Sequence, residues 1–424
     1  MQQPFFDIPQ ALQARGAEIH RQLQPTYAAI DEIAEYNQLK MLKAFQDFGI
    51  SESHFAPTTG YGYDDRGRDV LEQVFAQAVG AEDALLRVQL MSGTHTLTVA
   101  LFGLLRPGDE MLCVTGTPYD TLLGVIGVSN NKPGSLKDFG VSYREVAMTE
   151  QGRLDIPAIR AALQLHRPKL VYFQRSRGYS TRPSLTVEEI GEAIRAVREE
   201  AGDVWIMVDN CYGEFVQTKE PTEVGADLIA GSLIKNPGGG IAPAGGYIAG
   251  RKELVELCAG RFSAPSTGRE IGATLGVLRE MYLGVYLAPQ VVGDALKTAV
   301  FGAKLFETLG FAVSPGVQEQ RADIIQTILL RTPEALVSFC RGLQKGSPID
   351  SYACPEPSDM AGYDEKVVSA SGSFTLGSTI ELSADAPMRA PFAVWMQGGT
   401  SFAAARMSLL LAAKEMMKDG MITL

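Results

Sequence analysis

Short apolar runs alternate with longer stretches that carry apolar residues at helical spacing through most of the chain. Between about residues 82 and 284 these runs are bounded by polar or glycine-rich segments, and they lie at residues 112–114, 170–173, 205–208, 228–230 and 246–249. Such runs are typical of strands buried on both faces, and the periodic stretches between them predict crossover helices. The pattern therefore predicts an α/β fold with a mostly parallel sheet covered on both sides.

The two ends of the chain follow a different pattern from this middle part. Residues 8–23 and 27–48 have apolar positions at helical spacing, which predicts an N-terminal helical arm over 1–50 and a large domain over 51–286. From residue 287 the pattern predicts a helix to 306, strands at 311–313 and 324–330, and a helix over 333–344. Strands near 367 and 380 and a final helix over 402–417 follow. This mixture predicts a smaller C-terminal α+β domain over 287–424.

Lys235 lies where an apolar run over 224–230 gives way to a loop with three consecutive glycines at 238–240. An ammonium at the end of a buried strand is paired, neutralised or used covalently, because an isolated charge is expensive away from water. Covalent use is the most productive interpretation, since a Schiff base with pyridoxal 5'-phosphate removes the charge and supplies an electron sink. We therefore predict that Lys235 binds this cofactor and acts as the catalytic base.

Such a cofactor needs a carboxylate, a phosphate site and a residue that stacks on its ring. Asp209 follows the apolar run 204–208 and is expected to keep the pyridine nitrogen protonated. Residues 88–91 lead into Ser92, Gly93 and Thr94, whose backbone N–H groups at the start of a predicted helix suit a phosphate. The remaining candidates are the Ser232 hydroxyl for the same phosphate, Tyr119 for stacking on the ring and Gln174 for its phenolic oxygen.

Each of these features also has an ordinary structural explanation. Asp209 is of a type that caps helices, residues 92–94 are an unexceptional helix start, and Tyr119 is compatible with a core position. The glycine run does not follow the G-x-G-x-x-G spacing, and the chain contains no G-x-x-x-x-G-K-[ST], so neither dinucleotide nor P-loop binding is predicted. The order of all the candidates at strand ends favours the cofactor site.

At these residues the chain resembles a known family. The matching stretches cover nearly the whole chain from about residue 61, and they read GYGYDDRGRDVLE, SGTH, TGTPYDTL, QRSRGYSTRPS, VDNCYGEF, GADLIAGSLIKNPGGG, SPIDS and ELSADAP. They look like the methionine gamma-lyase-like proteins known as aluminium resistance proteins, which are fold-type-I pyridoxal phosphate enzymes near the cystathionine-metabolising group. The resemblance implies a large domain with a mostly parallel seven-stranded sheet and a smaller C-terminal domain.

The resemblance also implies site residues and subunit organisation. In the related cystathionine group a tyrosine and an arginine before a helix reach the phosphate of the adjacent subunit's cofactor, which makes Tyr61 a candidate, with Tyr63, Arg66 and Arg68 as alternatives. A plain surface loop that caps the next helix is the competing interpretation. The small domain of the fold type supplies an arginine for the substrate carboxylate; Arg389 is the leading candidate and Arg406 the alternative. A homodimer or homotetramer with shared active sites is implied.

The activity implied by the resemblance is carbon–sulfur bond cleavage in a sulfur amino acid, as in methionine gamma-lyase, with Lys235 as base and Tyr119 as proton donor to the departing sulfur. Elimination from cystathionine or cysteine conjugates at Cβ and aldol-type cleavage share the same early proton abstraction, so the sequence leaves them open. A non-catalytic, regulatory protein that binds the cofactor is a further alternative.

Composition removes several other classes of protein. The net charge of −11 carries no basic stripe, which argues against a nucleic-acid partner. Neither a secretory n-region and h-region nor an apolar run of membrane-spanning length is present, so a cytoplasmic protein without a membrane partner is expected. The five cysteines and four histidines are scattered without metal-ligand spacing, and no metal site is predicted. The expected partner is a small amino-acid substrate.

Overall fold

The computed structural model describes residues 5–129, 133–360, 363 and 365–423. These residues form two compact units, one made of residues up to Ala34 together with those from Gln290 onward, and the other of Glu35–Pro289. The sequence placed its domain boundaries at residues 50 and 286.

Eleven α-helices occur in the described part of the chain. They are α1 Gln10–Gln22, α2 Gln24–Asp47, α3 Arg66–Ala78, α4 Gly93–Leu104, α5 Asp120–Ile126, α6 Ile156–Leu165, α7 Val187–Glu200, α8 Lys252–Phe262, α9 Leu278–Thr308, α10 Pro333–Gln344 and α11 Phe402–Lys418. Capping follows familiar chemistry at several of them. Thr186, for example, accepts from Glu189 N while the Glu189 carboxylate accepts from Thr186 N, so two otherwise unsatisfied N–H groups at the start of α7 are bonded.

Twelve strands form two sheets in the same described residues. The strands are β1 Asp83–Arg87, β2 Glu110–Cys113, β3 Ser142–Glu145, β4 Leu170–Gln174, β5 Trp205–Asp209, β6 Leu228–Ser232, β7 Gly246–Gly250, β8 Ala312–Ser314, β9 Gln326–Leu329, β10 Val367–Ala370, β11 Ser383–Pro387 and β12 Ala393–Gln397. The seven-stranded sheet has the order β1-β7-β6-β5-β4-β2-β3 and is parallel except at β7, which is antiparallel to both of its neighbours. The other sheet, β10-β11-β12-β9-β8, is antiparallel throughout.

The larger core lies between the seven-stranded sheet and helices α4 and α8. Leu97 and Leu101 of α4 and Val255 of α8 are fully buried against Leu228 and Ile248 of β6 and β7. Each leucine buried in this way stabilises the fold by about 2 kcal/mol before entropy is counted. The apolar runs that the sequence placed in strands β4, β5 and β6 are buried because helices cover the sheet, as predicted for an α/β fold with a mostly parallel seven-stranded sheet.

The strand that precedes α4 was not predicted from the sequence. The strand that precedes α4 is β1, which ends at Arg87, and Leu90 N then donates to Arg87 O in a turn (3.3 Å). The ladder with β7 runs only from Asp83 to Arg87, and it is this pairing that defines the strand. Arg87 itself is buried in an ion pair with Glu72 (2.6 Å), so a charged residue sits in a strand where apolar periodicity does not reveal it.

The strand expected near Ile380 is displaced. Ile380 is fully buried, but it lies in a loop, and its carbonyl accepts a hydrogen bond from Gly399 N (2.8 Å). The strand of this region is β11, which begins three residues later at Ser383 and pairs with β10 and β12. The prediction from apolar burial alone therefore misplaced the strand, because the position of the neighbouring strand decides where the hydrogen-bonded ladder begins.

In the described residues we find no helix both long enough and apolar enough to cross a membrane.

Candidate active site

Three neighbouring parallel strands end in polar residues at one edge of the seven-stranded sheet. β4 ends at Gln174, β5 at Asp209 and β6 at Ser232. Gln174 is the register partner of Asp209, and Asp209 pairs with Ala230, two residues before Ser232. Because ligands of open α/β sheets bind beyond the carboxyl ends of the strands, these side chains define a candidate active site.

Asp209 is buried, with 4% of its surface exposed, at the end of β5. Its Oδ1 accepts from Cys211 N (3.1 Å) and its Oδ2 from the Tyr172 hydroxyl (3.4 Å). Burial raises the pKa of the Asp209 carboxyl to about 6, and these hydrogen bonds oppose the rise. A carboxyl this far from water ionises fully when a cation lies beside it, so the site suits the partner of a protonated pyridine nitrogen.

Lys235 follows β6 through a tight turn in which Lys235 N donates to Ser232 O (3.2 Å). The residue is half-buried, and its Nζ lies 4.6 Å from the centroid of the Tyr212 ring. Burial, together with Asp209 and Glu214, raises the pKa of the Cys211 thiol, and the charge of Lys235 opposes this rise. The lysine amine therefore lies within electrostatic reach of the turn that begins at Asp209.

The first turn of α4 packs beside the end of β6. A Cβ added at Gly93 would lie 3.5 Å from Cys211 Sγ and 3.6 Å from Ser232 Cβ, so a side chain at this position would occupy the space between the helix start and the strand end. Ser92 caps the helix by accepting from His95 N (3.1 Å). His95 Nδ1 in turn faces Met91 N (3.1 Å), and burial lowers the pKa of its imidazole.

The Ser232 hydroxyl provides a test of whether these residues fit a phosphate. It is fully buried, and its Oγ has no hydrogen-bond partner among the described residues. A buried hydroxyl without a partner is costly, and a phosphate oxygen at the N-terminus of α4 would satisfy it. The residues present therefore fit the phosphate of pyridoxal 5'-phosphate, with Ser92, Gly93, Thr94 and Ser232 as its predicted cradle.

Tyr119 stands at the start of α5 and is tied to two of the other candidates. Its backbone N donates to Gln174 Oε1 (2.8 Å), and its hydroxyl is hydrogen-bonded to Thr94 Oγ1 (3.1 Å). Burial, with the charge of Asp209, raises the pKa of the Tyr119 phenol well above its usual range, so the hydroxyl keeps its proton at neutral pH. The Gln174 amide also donates to Ser176 O (2.9 Å), so this side chain links Tyr119 to the loop after β4.

Tyr61 lies on an exposed loop of the same compact unit. The Tyr61 ring stacks on Tyr63 with centroids 5.3 Å apart, and the two side chains are 69% and 55% exposed. Arg66 is also exposed, whereas Arg68 is buried and donates to the carbonyls of Gly62 (2.7 Å) and Gly272 (3.2 Å). Arg68 therefore holds its own loop, while the role of Tyr61 toward a neighbouring subunit stays a prediction.

Arg389 belongs to the other compact unit. Its Nη1 forms an ion pair with Glu365 Oε2 (3.0 Å), and 36% of the side chain is exposed. Arg389 follows β11 in a turn closed by Phe392 N, which donates to Arg389 O (2.9 Å). Its predicted role in binding the substrate carboxylate stays a prediction.

The sequence missed the buried polar network behind the Asp209 turn. Arg175, the first residue after β4, is fully buried. Its guanidinium donates to Asn210 Oδ1 (2.8 Å) and forms an ion pair with Glu220 (3.3 Å). The VDNCYGEF stretch contained part of the signal, because a buried glutamate requires a cationic or protonated partner, and Glu214 of this stretch accepts from the Tyr247 hydroxyl (2.8 Å).

The described residues contain no group of three or more histidine, cysteine, aspartate or glutamate side chains arranged to hold a metal ion.

The sheet order and the strand-end lysine and aspartate are those of a fold-type-I pyridoxal phosphate-dependent enzyme. The fold is shared with the pyridoxal 5'-phosphate-dependent protein YhfS of Escherichia coli, at a TM-score of 0.61 over 91% of this chain and 97% of that one, with 17% identity. Residues 13–417 match the family model described as Methionine gamma-lyase. The chain belongs to this family, and pyridoxal 5'-phosphate is its cofactor.

Closer relatives cover nearly the full length. The uncharacterized protein YnbB of Bacillus subtilis is 44% identical over 412 residues, which are 97% of this chain and 98% of that protein. The structure of a carbon-sulfur lyase involved in aluminum resistance from Clostridium novyi has a TM-score of 0.93 and 46% identity, covering 96% of each chain. L-methionine gamma-lyase of Pseudomonas putida is 29% identical over 44% of this chain and 42% of its own length. The chain is a pyridoxal phosphate-dependent carbon–sulfur lyase.

Proposed function

We propose that this enzyme eliminates a thiol from the side chain of a sulfur amino acid, with methionine-type γ-elimination as its reaction. The products are the thiol, ammonia and a 2-oxo acid, and water is consumed in releasing the ammonia. The observation that carries the proposal is that a protonated tyrosine hydroxyl, that of Tyr119, lies within electrostatic reach of the buried Asp209 carboxyl, while the Lys235 amine lies within reach of Cys211 in the turn that begins at Asp209. A base and an acid in one site are what the removal of a proton and the protonation of a leaving sulfur require.

Each candidate residue has a separate role in the proposed reaction. Pyridoxal 5'-phosphate, when bound, withdraws electrons from the substrate Cα, and Asp209 keeps its ring nitrogen protonated. Lys235 Nζ takes the proton from Cα. For γ-elimination this proton must leave Nζ before the same amine takes a second proton from Cβ. The Tyr119 hydroxyl donates a proton to the departing sulfur, and its raised pKa keeps that proton available at neutral pH. Arg389 holds the substrate carboxylate, for which a guanidinium has the matching fork geometry.

The proposal is tested by absorbance spectroscopy of the purified enzyme loaded with pyridoxal 5'-phosphate. Methionine, cystathionine and cysteine are added in turn, and thiol and 2-oxo acid are quantified. We expect the cofactor band to shift with methionine and 2-oxobutanoate to accumulate with methanethiol. Release of pyruvate from cystathionine, without turnover of methionine, would instead identify β-elimination. A band that no sulfur amino acid disturbs would refute the proposed substrate class.

Lys235→Ala tests the assignment of the base and has the largest expected effect. We expect it to abolish turnover and the cofactor absorbance band that depends on the lysine, because both depend on the same amine. Lys219→Ala, which removes an exposed lysine of the same unit, is the matched control and should leave both unchanged. Turnover of methionine or cystathionine retained by Lys235→Ala would show that another residue is the base.

A further inference from the structure

The turn after β5 contains two residues in an unfavourable backbone conformation. Tyr212 has φ = 69° and Phe215 has φ = 61°, a left-handed region that residues with a Cβ adopt rarely. Neither is glycine or asparagine, the residues that reach this region at low cost. Strained backbone of this kind persists only where the surroundings determine it, and such residues concentrate at functional sites.

Buried hydrogen bonds hold the turn in place. Phe215 N donates to Glu220 Oε1 (2.7 Å), and Asn37 Nδ2 donates to Phe215 O (3.1 Å). Gly213 N donates to Asn210 O (2.9 Å), and a Cβ at Gly213 would lie 2.5 Å from the Arg175 side chain. Contacts from the strand side of the turn and from α2 therefore hold it in place, and its backbone cannot shift to a more favourable conformation.

The same turn is bonded to the segment that carries the lysine. Asn236, the residue after Lys235, is fully buried, and its Nδ2 donates to Glu214 O (2.9 Å). The Glu214 carboxylate accepts from the Tyr247 hydroxyl (2.8 Å), and Tyr247 lies on β7, beside β6. The distance between the turn and the lysine loop is consequently fixed by direct hydrogen bonds.

In this arrangement the Tyr212 ring contacts Lys235. The left-handed conformation directs the Tyr212 ring to the lysine, whose Nζ lies 4.6 Å from the ring centroid. The face of an aromatic ring attracts an ammonium at this distance, and the attraction strengthens where water is excluded. Lys235 is half-buried, so water has only partial access to it.

We propose that Tyr212 is a positioning residue for the catalytic base: its ring face seats the Lys235 ammonium whenever the lysine is released from the cofactor and carries a proton. This inference deepens the proposed function and rests on it. The base must hold the proton taken from Cα close to the substrate until it is passed on. A ring face stabilises the protonated amine without competing for the proton, since it has no basic atom near the nitrogen.

Two variants of Tyr212 and one control variant distinguish the effect of the ring from an effect on the fold. Tyr212→Phe keeps the ring face and removes only the hydroxyl. Tyr212→Asn removes the ring but tolerates the left-handed backbone, so the turn is preserved. Tyr36→Asn removes an exposed ring that lies 6.0 Å from Lys40 and serves as the matched control.

The first measurement is steady-state turnover of the holoenzyme with the sulfur amino acid it prefers. We expect Tyr212→Asn to lower kcat about three- to thirty-fold, the range of a buried cation–π contact, with KM changed less than about twofold. Tyr212→Phe and Tyr36→Asn should keep kcat within about twofold. A kcat retained by Tyr212→Asn, or lost equally in Tyr212→Phe, would overturn the proposal.

The second measurement needs no turnover, so it distinguishes failure of this inference from failure of the proposed function. Full-length protein without cofactor is reductively methylated with ¹³C-formaldehyde, and the Lys235 signal is assigned by its absence in Lys235→Ala. We expect an upfield ring-current shift that Tyr212→Phe keeps and Tyr212→Asn loses. Equal shifts in all three proteins would show that ring and amine do not meet. A fall in Tm that parallels kcat across the variants would assign Tyr212 a merely structural role.

Discussion

The turn after β5 and the loop before α3 both combine glycine with aromatic and charged side chains, but they differ in what surrounds them. In the turn, Asn210, Glu214 and Phe215 are buried and bonded within one compact unit. In the loop, the Tyr61 and Tyr63 rings stack on each other in solvent, while the backbone is held by Gly272 N, which donates to Tyr61 O (2.8 Å), and by Arg68. The first region fixes the position of the loop that carries Lys235 with residues of its own chain, whereas the second presents its aromatic rings outward.

This difference shows which parts of the site are preorganised by the fold. A buried polar network has few alternative arrangements, because every partner lost exposes an unsatisfied group. An exposed stacked pair keeps its freedom until another surface orders it. Substitutions in the turn and substitutions in the loop should therefore have effects of different size and kind.

Asp209→Asn gives the largest expected effect after loss of the lysine. The amide leaves the ring nitrogen of the cofactor without a counter-charge, and we expect kcat to fall about 10²- to 10³-fold, as for removal of one preorganised electrostatic group. Tyr172→Phe, which removes only the 3.4 Å hydrogen bond to Asp209, should cost far less. If the two variants lost the same activity, the carboxylate would not be the decisive group.

The same Asp209 variant also changes the pH dependence of stability in the cofactor-free protein. The folded-state pKa of about 6 exceeds the ordinary value of 3.8, so the folded protein binds a proton that the unfolded chain releases. The free energy of unfolding should therefore fall as the pH rises from about 4 to about 6, and Asp209→Asn should lose this part of the dependence. Thermal unfolding across that range measures it, and parallel curves would contradict the assignment.

Tyr119→Phe removes the proposed acid and keeps the ring. Since general acid catalysis contributes at least about 10²-fold, we expect a loss of that order in kcat with methionine, while the cofactor band is retained. A substrate with a more acidic leaving thiol depends less on protonation of the sulfur, so its kcat should fall less in this variant. Equal losses for good and poor leaving groups would argue that the Tyr119 hydroxyl acts in another step.

Arg389→Lys keeps the charge but loses the fork that matches a carboxylate. We expect KM for the amino acid to rise about ten- to a hundred-fold, the cost of a charge-assisted hydrogen bond, with a smaller change in kcat. Arg331→Lys, at another exposed arginine of the same unit, is the control and should leave KM unchanged. An unchanged KM in Arg389→Lys would transfer the role to another residue, of which Arg406 is the next candidate.

Tyr61→Phe should have the smallest effect on the folded chain. Its side chain is exposed, so the free energy of unfolding should change by less than about 0.5 kcal/mol. Tyr352→Phe, at another highly exposed tyrosine, is the control for stability and activity. If Tyr61 reaches the cofactor of a second subunit, kcat should fall well beyond the control and cofactor affinity should weaken; matching values for the two variants would place Tyr61 outside the site.

Much of the fold could be predicted because burial leaves a local trace in the sequence. β4, β5 and β6 are apolar runs, and their predicted bounds differ from the observed ones by two residues or fewer. β1 was not predicted and β11 was misplaced, because strand bounds depend on the ladder partner, which lies far away in sequence. Helix α10 was predicted to the residue, since Thr332 and Pro333 mark its start.

The sequence predicted those candidate site residues whose side-chain chemistry and position at the end of an apolar run point to the same role. Asp209 and Lys235 each follow an apolar run, and a charged residue at the end of a buried strand is conspicuous in a sequence. Tyr212 was not predicted, because its contact with Lys235 depends on a backbone angle that residue identity argues against. Arg175 was not recognised as buried, since its partners come from a separate turn of the chain.

The sequence by itself determined the α/β class, the cofactor and the residues at the strand ends, because these depend on short-range periodicity and on the chemistry of single side chains. Tertiary structure alone decided that the Ser232 hydroxyl is buried without a partner, that Arg68 holds its own loop and that Tyr212 meets the lysine. Burial, ladder pairing and strained backbone are properties of segments brought together from distant parts of the chain. Their energies come from contacts that no local pattern records.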